Sequence, residues 1–222
     1  MHKVNLDPGA IRQFRKYFDE AMRLNCFRDL LAWGVFPDAK ELTESFGAFH
    51  AVRKNLVGGR DEKFFGGFHA VRKSDEKSLD WKLEYKDDHV CVICVGDGST
   101  PRTGATFAVR SNWHVFSVDP NLKLLEKWEP IKRLHLRKGK IEDCLFDYYN
   151  RFIVVAVHSH ADLRASLTCI KRDSARIAVV AIPCCIQQEL KIPPDMTYDD
   201  SAILSPQNRV HIWRWRFREE YI

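Results

Sequence analysis

Apolar residues recur every three or four positions near the start of the chain and in short blocks further along it. Ile11, Phe14 and Phe18 follow Asp7-Pro8 at helical spacing, which predicts an amphipathic helix over residues 8–24. An apolar stretch over 27–36 ends at a proline, and a further helix is predicted over 39–56. From residue 90 onward, short apolar runs alternate with polar or helical stretches. We therefore predict a helical N-terminal extension over 1–88 and a second domain over 89–222.

The second domain has the alternation that is typical of βαβ units around a parallel sheet. Its predicted strands cover residues 90–95, 114–118, 131–136, 152–157, 177–182 and 210–215, and its predicted helices cover 101–110, 122–128, 145–150 and 161–172. The fold class is thus α/β, with a Rossmann-like, mostly parallel sheet flanked by helices. The runs at 152–157 and 177–182 have no polar alternation, so both strands should be buried on both faces. The last strand is expected to lack its usual antiparallel partner.

A nine-residue segment occurs twice in the helical extension. FGAFHAVRK at 46–54 matches FGGFHAVRK at 65–73 at eight of nine positions. Two copies are too few for a solenoid of stacked repeats. The segment is either a duplicated structural element or a pair of basic, aromatic-flanked faces that contact phosphate or RNA bases.

The composition is that of a globular protein, with 45% hydrophobic and 29% charged residues. A formal charge of +5 permits an anionic partner such as RNA. Seven cysteines, some inside apolar runs, do not form the pattern of a secreted disulfide framework. Neither a signal segment nor a run long enough to span a bilayer is recognisable. We expect an intracellular protein, cytoplasmic or nuclear, with no membrane partner.

The first predicted strand leads into a glycine turn, GDGSTPRTG at 96–104. Glycines allow close backbone approach, and the free N–H groups of the helix that follows suit a carboxylate or phosphate. The second predicted strand ends in Asp119, whose carboxylate could accept both hydroxyls of a ribose. The alternatives are a tight structural turn for the glycines and a helix cap, together with Pro120, for the aspartate.

Taken together, these motifs resemble those of the class I S-adenosylmethionine-dependent methyltransferases over residues 88–217. The resemblance implies S-adenosylmethionine as cofactor, with Asp119 on its ribose and an acid after the third strand, Glu142 or Asp143, near its adenine. It also implies that the methionine part of the cofactor is held by the turn residues Gly96, Asp97, Gly98, Ser99 and Thr100. The turn departs from the family order of acid, any residue, Gly, any residue, Gly. Either Asp97 is the family acid shifted by one position, or the acid is missing and Thr100 replaces the second glycine.

Polar residues after the fourth and fifth strands are the candidates for catalysis and substrate contact. In the family the turn after strand four is the catalytic loop, which here is HSHADL, and strand five ends in PCC. The candidate catalytic residues are His158, His160 and Asp162, and the candidate substrate contacts are Arg102, Pro183, Cys184 and Cys185. From the residues alone, these histidines could equally be acid/base groups or polar groups of a pocket wall. A zinc site made with the cysteines is a further alternative, although the spacing is not that of paired CxxC ligands, and we predict no metal.

Two basic segments are candidate surfaces for binding a partner. KRLHLRKGK at 132–140 is the densest basic run, and RVHIWRWRF at 209–217 alternates aromatic and basic residues. Each is either a solvated or edge face, or a contact for RNA. The leading hypothesis is a methyltransferase that acts on RNA. The alternatives are a non-catalytic scaffold of the same fold that binds RNA or protein, and a metal-dependent hydrolase.

Overall fold

A computed structural model describes residues 8–57, 83, 88–184, 190 and 192–215, with side chains omitted at 8–12 and 14. The α-helices described are α1 (Pro8–Met22), α2 (Phe27–Ala32), α3 (Ala39–Leu56), α4 (Arg102–Arg110) and α5 (Leu163–Thr168). The strands are β1 (Val90–Val95), β2 (His114–Asp119), β3 (Leu134–Lys138), β4 (Arg151–Val157), β5 (Arg176–Ile182), β6 (Met196–Asp199) and β7 (Arg209–Trp215).

The seven strands form one mixed sheet in the order β3-β2-β1-β4-β5-β7-β6. Strands β1 to β5 are parallel, whereas β7 runs antiparallel to β5 and β6 antiparallel to β7. This arrangement confirms the predicted Rossmann-like, mostly parallel sheet. The chain leaves β1 towards β2 on one side and returns to β4 on the other. The carboxyl end of β1 is therefore a topological switch point, where open α/β sheets bind their ligands.

Alternate residues of the strands point to opposite faces and form two cores. Val92, Ile153 and Val180 belong to the core under α1 to α4, whereas Ile93 and Val154 belong to the core under α5. Every residue of β1 is buried, and β4 and β5 are buried apart from their first residue. Both predicted central strands are thus buried on both faces, because helices or loops cover each side of the sheet.

The predicted helices over 122–128 and 145–150 are wrong. The first is reduced to a 3-10 turn at Glu126–Trp128, and the second is an irregular segment whose Phe146 forms an isolated bridge with Ile170. Their apolar residues do not share one buried face: Leu124 is 59% exposed and Tyr148 is 75% exposed. Helices in globular proteins depend on burying such a face. The predicted helix over 161–172 is present, but its regular part is limited to α5, Leu163–Thr168.

The expectation that the last strand lacks its partner is wrong as well. Strand β6 pairs with β7 over Met196–Asp199, and its four residues are too few and too polar to be recognised from their pattern. Strand β7 therefore lies between β5 and β6 and is not an edge strand. Its Trp213 and Trp215 are buried.

The first copy of the duplicated segment lies in α3 and packs in the core. Phe46 and Phe49 are buried, and the Phe49 ring meets the Phe107 ring of α4 at 5.1 Å. Arg53 pairs with Glu20 at 3.5 Å. These contacts favour the structural interpretation for this copy. The second copy, at 65–73, lies outside the described residues.

Cys26, Cys91, Cys94, Cys144 and Cys169 carry free thiols. None of the helices in the described part of the chain is long and apolar enough to cross a membrane.

Candidate functional site

The turn after β1 is pressed against the loop that follows β4. Gly96 and Gly98 have φ angles of 65° and 84°, which side-chain-bearing residues rarely adopt. A Cβ atom on Gly96 would lie 2.1 Å from Ser159 Oγ. The glycine is therefore needed for both conformation and close approach, as the sequence predicted for a turn of this kind.

Asp97 lies under the turn and caps α4. Its carboxylate accepts hydrogen bonds from the backbone N–H groups of Thr103 and Gly104, each at 2.9 Å, and from Ser117 Oγ at 2.8 Å. Asp97 is 3% exposed. The helix N-terminus that we expected to face a ligand anion thus already holds this carboxylate. Asp97 ties β1, β2 and α4 together beneath the turn.

Asp119 lies at the carboxyl end of β2, next to the same turn. Its Oδ2 accepts the N–H of Gly98 at 2.9 Å, and its Oδ1 accepts the N–H of Asn121 at 2.6 Å. The aspartate therefore closes a local turn, and it does not cap a helix as the alternative interpretation proposed, because no α-helix lies between β2 and β3 in the described residues. A carboxylate has about four acceptor positions, so each oxygen can still accept one further donor. The position suits a ligand hydroxyl as well as the turn.

A buried carboxylate on α3 faces the end of β4. Glu44 has a side chain with 0% exposure, and its Oε1 lies 3.0 Å from Lys40 Nζ and 3.1 Å from His158 Nε2. His158 follows β4 directly and has a φ of 48°, in the left-handed region. Such a conformation costs roughly 1–3 kcal/mol in a non-glycine residue and is found disproportionately at functional sites. The backbone N–H of His158 donates to the carbonyl of Ile182 at 2.8 Å, which fixes the turn.

The environment of Glu44 keeps it ionised. Burial raises the pKa of the carboxyl, but the adjoining His158 and Lys40 outweigh that effect, so its pKa is lowered from the ordinary value. The other oxygen, Oε2, is buried without a hydrogen-bond donor among the described residues. Leaving a buried acceptor unsatisfied costs about 1–3 kcal/mol, and more for a charged one.

A second pair links α3 to the glycine turn. Arg102 Nη1 donates to the carbonyl of Asp97 and lies 3.7 Å from Glu41 Oε1. Thr100 Oγ1 and Glu41 Oε2 are buried and, within the described part of the chain, have no hydrogen-bond partner. Arg102, which we predicted as a substrate contact, is instead 8% exposed and bound to the turn itself.

The remaining predicted site residues are spread around the carboxyl edge of the sheet. His160 is exposed, and Asp162 caps α5 by accepting the N–H of Arg164 at 2.7 Å. Glu142 and Asp143 are exposed in a 3-10 turn, Ile141–Asp143. Pro183 and Cys184 line a cavity of about 620 Å³ with Ser159, on the β5–β7 side. Cys185 lies outside the described residues.

No three metal-ligating side chains come together within the described ranges of the chain. His158 contacts a glutamate on α3, and Cys184 lines the cavity. The geometry of the described residues therefore gives the metal-dependent hydrolase no support.

Sequence reasoning missed both glutamates of α3. The signal was present: Glu44 precedes Ala48, Ala51 and Val52 at the i+4, i+7 and i+8 positions of a buried stripe. An acid in an apolar stripe is rarely buried unless it is paired. The sequence prediction did not include Glu44, because it assigned the helical extension and the βαβ domain to separate domains.

Comparison with known proteins adds structural likeness only. No protein-family model matches the chain, and no curated protein sequence matches it significantly. Among solved structures, coclaurine N-methyltransferase bound to N-methylheliamine and SAH is 15% identical, with a TM-score of 0.32, and the match covers 78% of this chain. A mutant of MtNAS is 14% identical over 94% of this chain and 76% of its own, with a TM-score of 0.43. Precorrin-6y C5,15-methyltransferase from Geobacter metallireducens is 13% identical over 72% of this chain and 98% of its own, with a TM-score of 0.34.

The chain spans 60% of coclaurine N-methyltransferase and 39% of a geranyl diphosphate C-methyltransferase from Streptomyces coelicolor. Overlays at these scores do not align individual site residues. The assignment of the site therefore depends on the geometry of this chain.

Proposed function

We propose that the chain binds S-adenosylmethionine and is a methyltransferase. The observation that carries the proposal is Asp119. It ends β2 at the switch point of the sheet, touches the glycine turn through the N–H of Gly98 and retains acceptor positions for ribose hydroxyls. The resemblance noted in the sequence and the methyltransferases among the similar structures are consistent with this proposal.

The surrounding residues fit a cationic ligand of this kind. Four carboxylates, those of Glu41, Glu44, Asp97 and Asp119, lie around the turn with two permanent cations, Arg102 and Lys40. The bound cofactor would supply a methyl group on a sulfonium. The task of the protein would be to align an acceptor with that group, because proximity lowers the barrier when the acceptor is already nucleophilic. His158 and Ser159, directly after β4, are placed beside the turn for such alignment.

Binding of S-adenosylhomocysteine, measured by isothermal titration calorimetry, tests the proposal. We expect wild-type protein to bind it and Asp119→Ala to bind about ten- to one-hundred-fold more weakly, since hydrogen bonds to charged groups contribute about 1.5–3 kcal/mol. Asp195→Ala, which removes an exposed carboxylate paired with Arg214, is the control and should bind normally. Equal affinity in the wild-type and Asp119→Ala proteins would refute the assigned site.

For the acceptor, we propose RNA, on the basis of the basic segment at 132–140. Part of it forms β3, the edge strand, where Arg137 and Lys138 are exposed. On the same strand His135 stacks on Phe116 with ring centroids 4.7 Å apart. Aromatic rings flanked by cations are suited to bases and phosphates of a single strand.

Filter binding of a single-stranded RNA at several salt concentrations tests this surface. Replacing Arg137 and Lys138 with alanine should weaken binding and lower the salt slope by about one to two. If RNA binds without any binding of S-adenosylhomocysteine, the protein is a non-catalytic scaffold. The use of Asp97 as a helix cap favours that alternative.

A further inference from the structure

A charged oxygen without a donor lies inside the protein beside the glycine turn. Both neighbours of Glu44, Lys40 and His158, approach the same oxygen, Oε1. Oε2 is enclosed, and none of the described residues donates to it. Native folds satisfy most buried polar groups, so a buried carboxylate oxygen left without a donor points to a ligand that supplies one.

Two more acceptors belong to the same region. Glu41 is one turn from Glu44 on α3, so the two side chains project from neighbouring positions of the helix. Glu41 Oε2 and Thr100 Oγ1 are buried and also lack partners within the described ranges. Two contacts join the segments that bear these acceptors. Arg102 Nη1 lies 3.7 Å from Glu41 Oε1, and Ser45 Oγ lies 3.4 Å from Thr103 Oγ1.

The local charge selects a cation. The four carboxylates and two permanent cations named above, with His158 left out of the sum, have a formal charge of −2. Buried negative charge attracts a positive ligand more strongly than it would in water. A primary ammonium group combines positive charge with three N–H donors, whereas an anion without such a group, such as phosphate, would be repelled.

We propose that Glu44 Oε2 accepts a hydrogen bond from a primary ammonium group of a bound small molecule, with Glu41 and Thr100 as further acceptors. His158 is a positioning residue in this proposal: it lies 3.1 Å from Oε1, so that Oε2 is the oxygen left for the ligand. The ammonium belongs either to the methionyl part of the cofactor, which rests on the proposed function, or to a separate small amine ligand, which does not.

Titration calorimetry with three probes separates these sources. S-adenosylhomocysteine has the amino-acid group, 5′-methylthioadenosine lacks it, and putrescine is an amine without a nucleoside. The variants are Glu44→Gln and, as a matched control, Glu20→Gln, which removes a half-buried carboxylate paired with Arg110 and Arg53 on α4 and α3. The control should bind every probe as wild-type does.

If the ammonium belongs to the cofactor, Glu44→Gln weakens S-adenosylhomocysteine at least ten-fold and leaves 5′-methylthioadenosine unchanged. If it belongs to a separate small amine, Glu44→Gln loses putrescine and keeps both nucleosides. Unchanged affinity of Glu44→Gln for all three probes overturns the inference. The inference is also overturned if the wild-type protein does not bind putrescine and binds S-adenosylhomocysteine no more tightly than 5′-methylthioadenosine.

Failure of the proposed function has a different signature. Wild-type protein would then bind neither nucleoside, and the putrescine titration alone would decide whether the ammonium site exists. Thermal unfolding separates binding from folding. If Glu44 serves a ligand, Glu44→Gln should lose binding and unfold at the wild-type temperature or above it. If Glu44 only forms a structural pair, Glu44→Gln should bind normally and unfold at a lower temperature.

Discussion

At the scale of single residues, His50 is held neutral inside the helical layer. It lies on α3 against the Tyr17 ring, with centroids 5.9 Å apart, close to Lys16, Arg53, Lys54 and Asp200. Burial, followed by the field of Lys16, lowers its pKa to about 4. In the unfolded chain its pKa is about 6.5, so the unfolded state takes up a proton first as the pH falls. Stability is therefore lost between pH 6.5 and 4.

We expect the free energy of unfolding to fall by about 1–2 kcal/mol between pH 7.5 and 5.0 through His50 alone. His50→Gln should remove that part of the pH dependence, as measured by urea denaturation at both pH values. His160→Gln, at an exposed position, should retain it. If wild-type and His50→Gln lose the same stability, His50 is not the cause.

A second prediction at the scale of single residues concerns Gly96. In Gly96→Ala the new Cβ would meet Ser159 Oγ at 2.1 Å, and φ would remain at +65°. We expect about 1–3 kcal/mol of destabilisation and weaker binding of S-adenosylhomocysteine. Ser159→Gly should restore part of the stability, because it removes the clash but not the backbone strain. A Gly96→Ala protein with wild-type stability would show that the turn can move away.

The site residues that belong to a local sequence motif could be predicted, whereas those outside such a motif could not. Asp119 and the glycines belong to a local pattern, strand, turn, helix, strand, so their positions followed from the sequence. The contact between Glu44 and His158 joins residues more than a hundred positions apart, and no local pattern indicates it. Asp97 was recognised as the important acid, but its role as a cap depends on the path of α4.

At the scale of elements, α3 passes close enough to the connection between β6 and β7 to need a glycine in its interior. A Cβ on Gly47 would lie 2.6 Å from Ile203 Cδ1 and 2.7 Å from Ile203 Cγ1. Alanine is favoured over glycine in helices by roughly 1 kcal/mol. The contact with Ile203 therefore decides whether Gly47→Ala stabilises or destabilises the protein.

Gly47→Ala should therefore destabilise the protein by about 1–3 kcal/mol in chemical denaturation, the usual cost of overpacking. In an Ile203→Ala background the same change should be neutral or stabilising, because the obstructing atoms are gone. A stabilising Gly47→Ala in the wild-type background would mean that Ile203 moves aside at little cost.

Elements with a strong hydrophobic period were predicted within a few residues, as for α3 and β4. The failures at 122–128 and 145–150 share a physical cause. Both segments are short connections with scattered apolar residues, and their backbone is bound to other loops. The N–H of Lys123 donates to the carbonyl of Ser99, and the N–H of Phe146 donates to the carbonyl of Cys169. Strand β6 was missed for a related reason, since it is stabilised by pairing with β7 and only half-buried at best.

At the scale of the whole molecule, the strand order brings all candidate groups to one edge. Parallel strands β1, β2 and β4 end side by side, and α3 from the helical extension covers that edge on one face. The fold class was predictable because βαβ alternation restricts the topology. The part played by α3 was not, because its packing on the sheet depends on long-range contacts.

A crystal structure of the protein soaked with S-adenosylhomocysteine tests the central claim most directly. We expect the ligand at the carboxyl end of β1 and β2, with its ribose hydroxyls within hydrogen-bonding distance of Asp119 and its adenosine beyond the glycine turn. A ligand that binds only in the cavity lined by Ser159, Pro183 and Cys184, or no ligand at a saturating concentration, would contradict the assignment of the β1–β2 edge as a cofactor site.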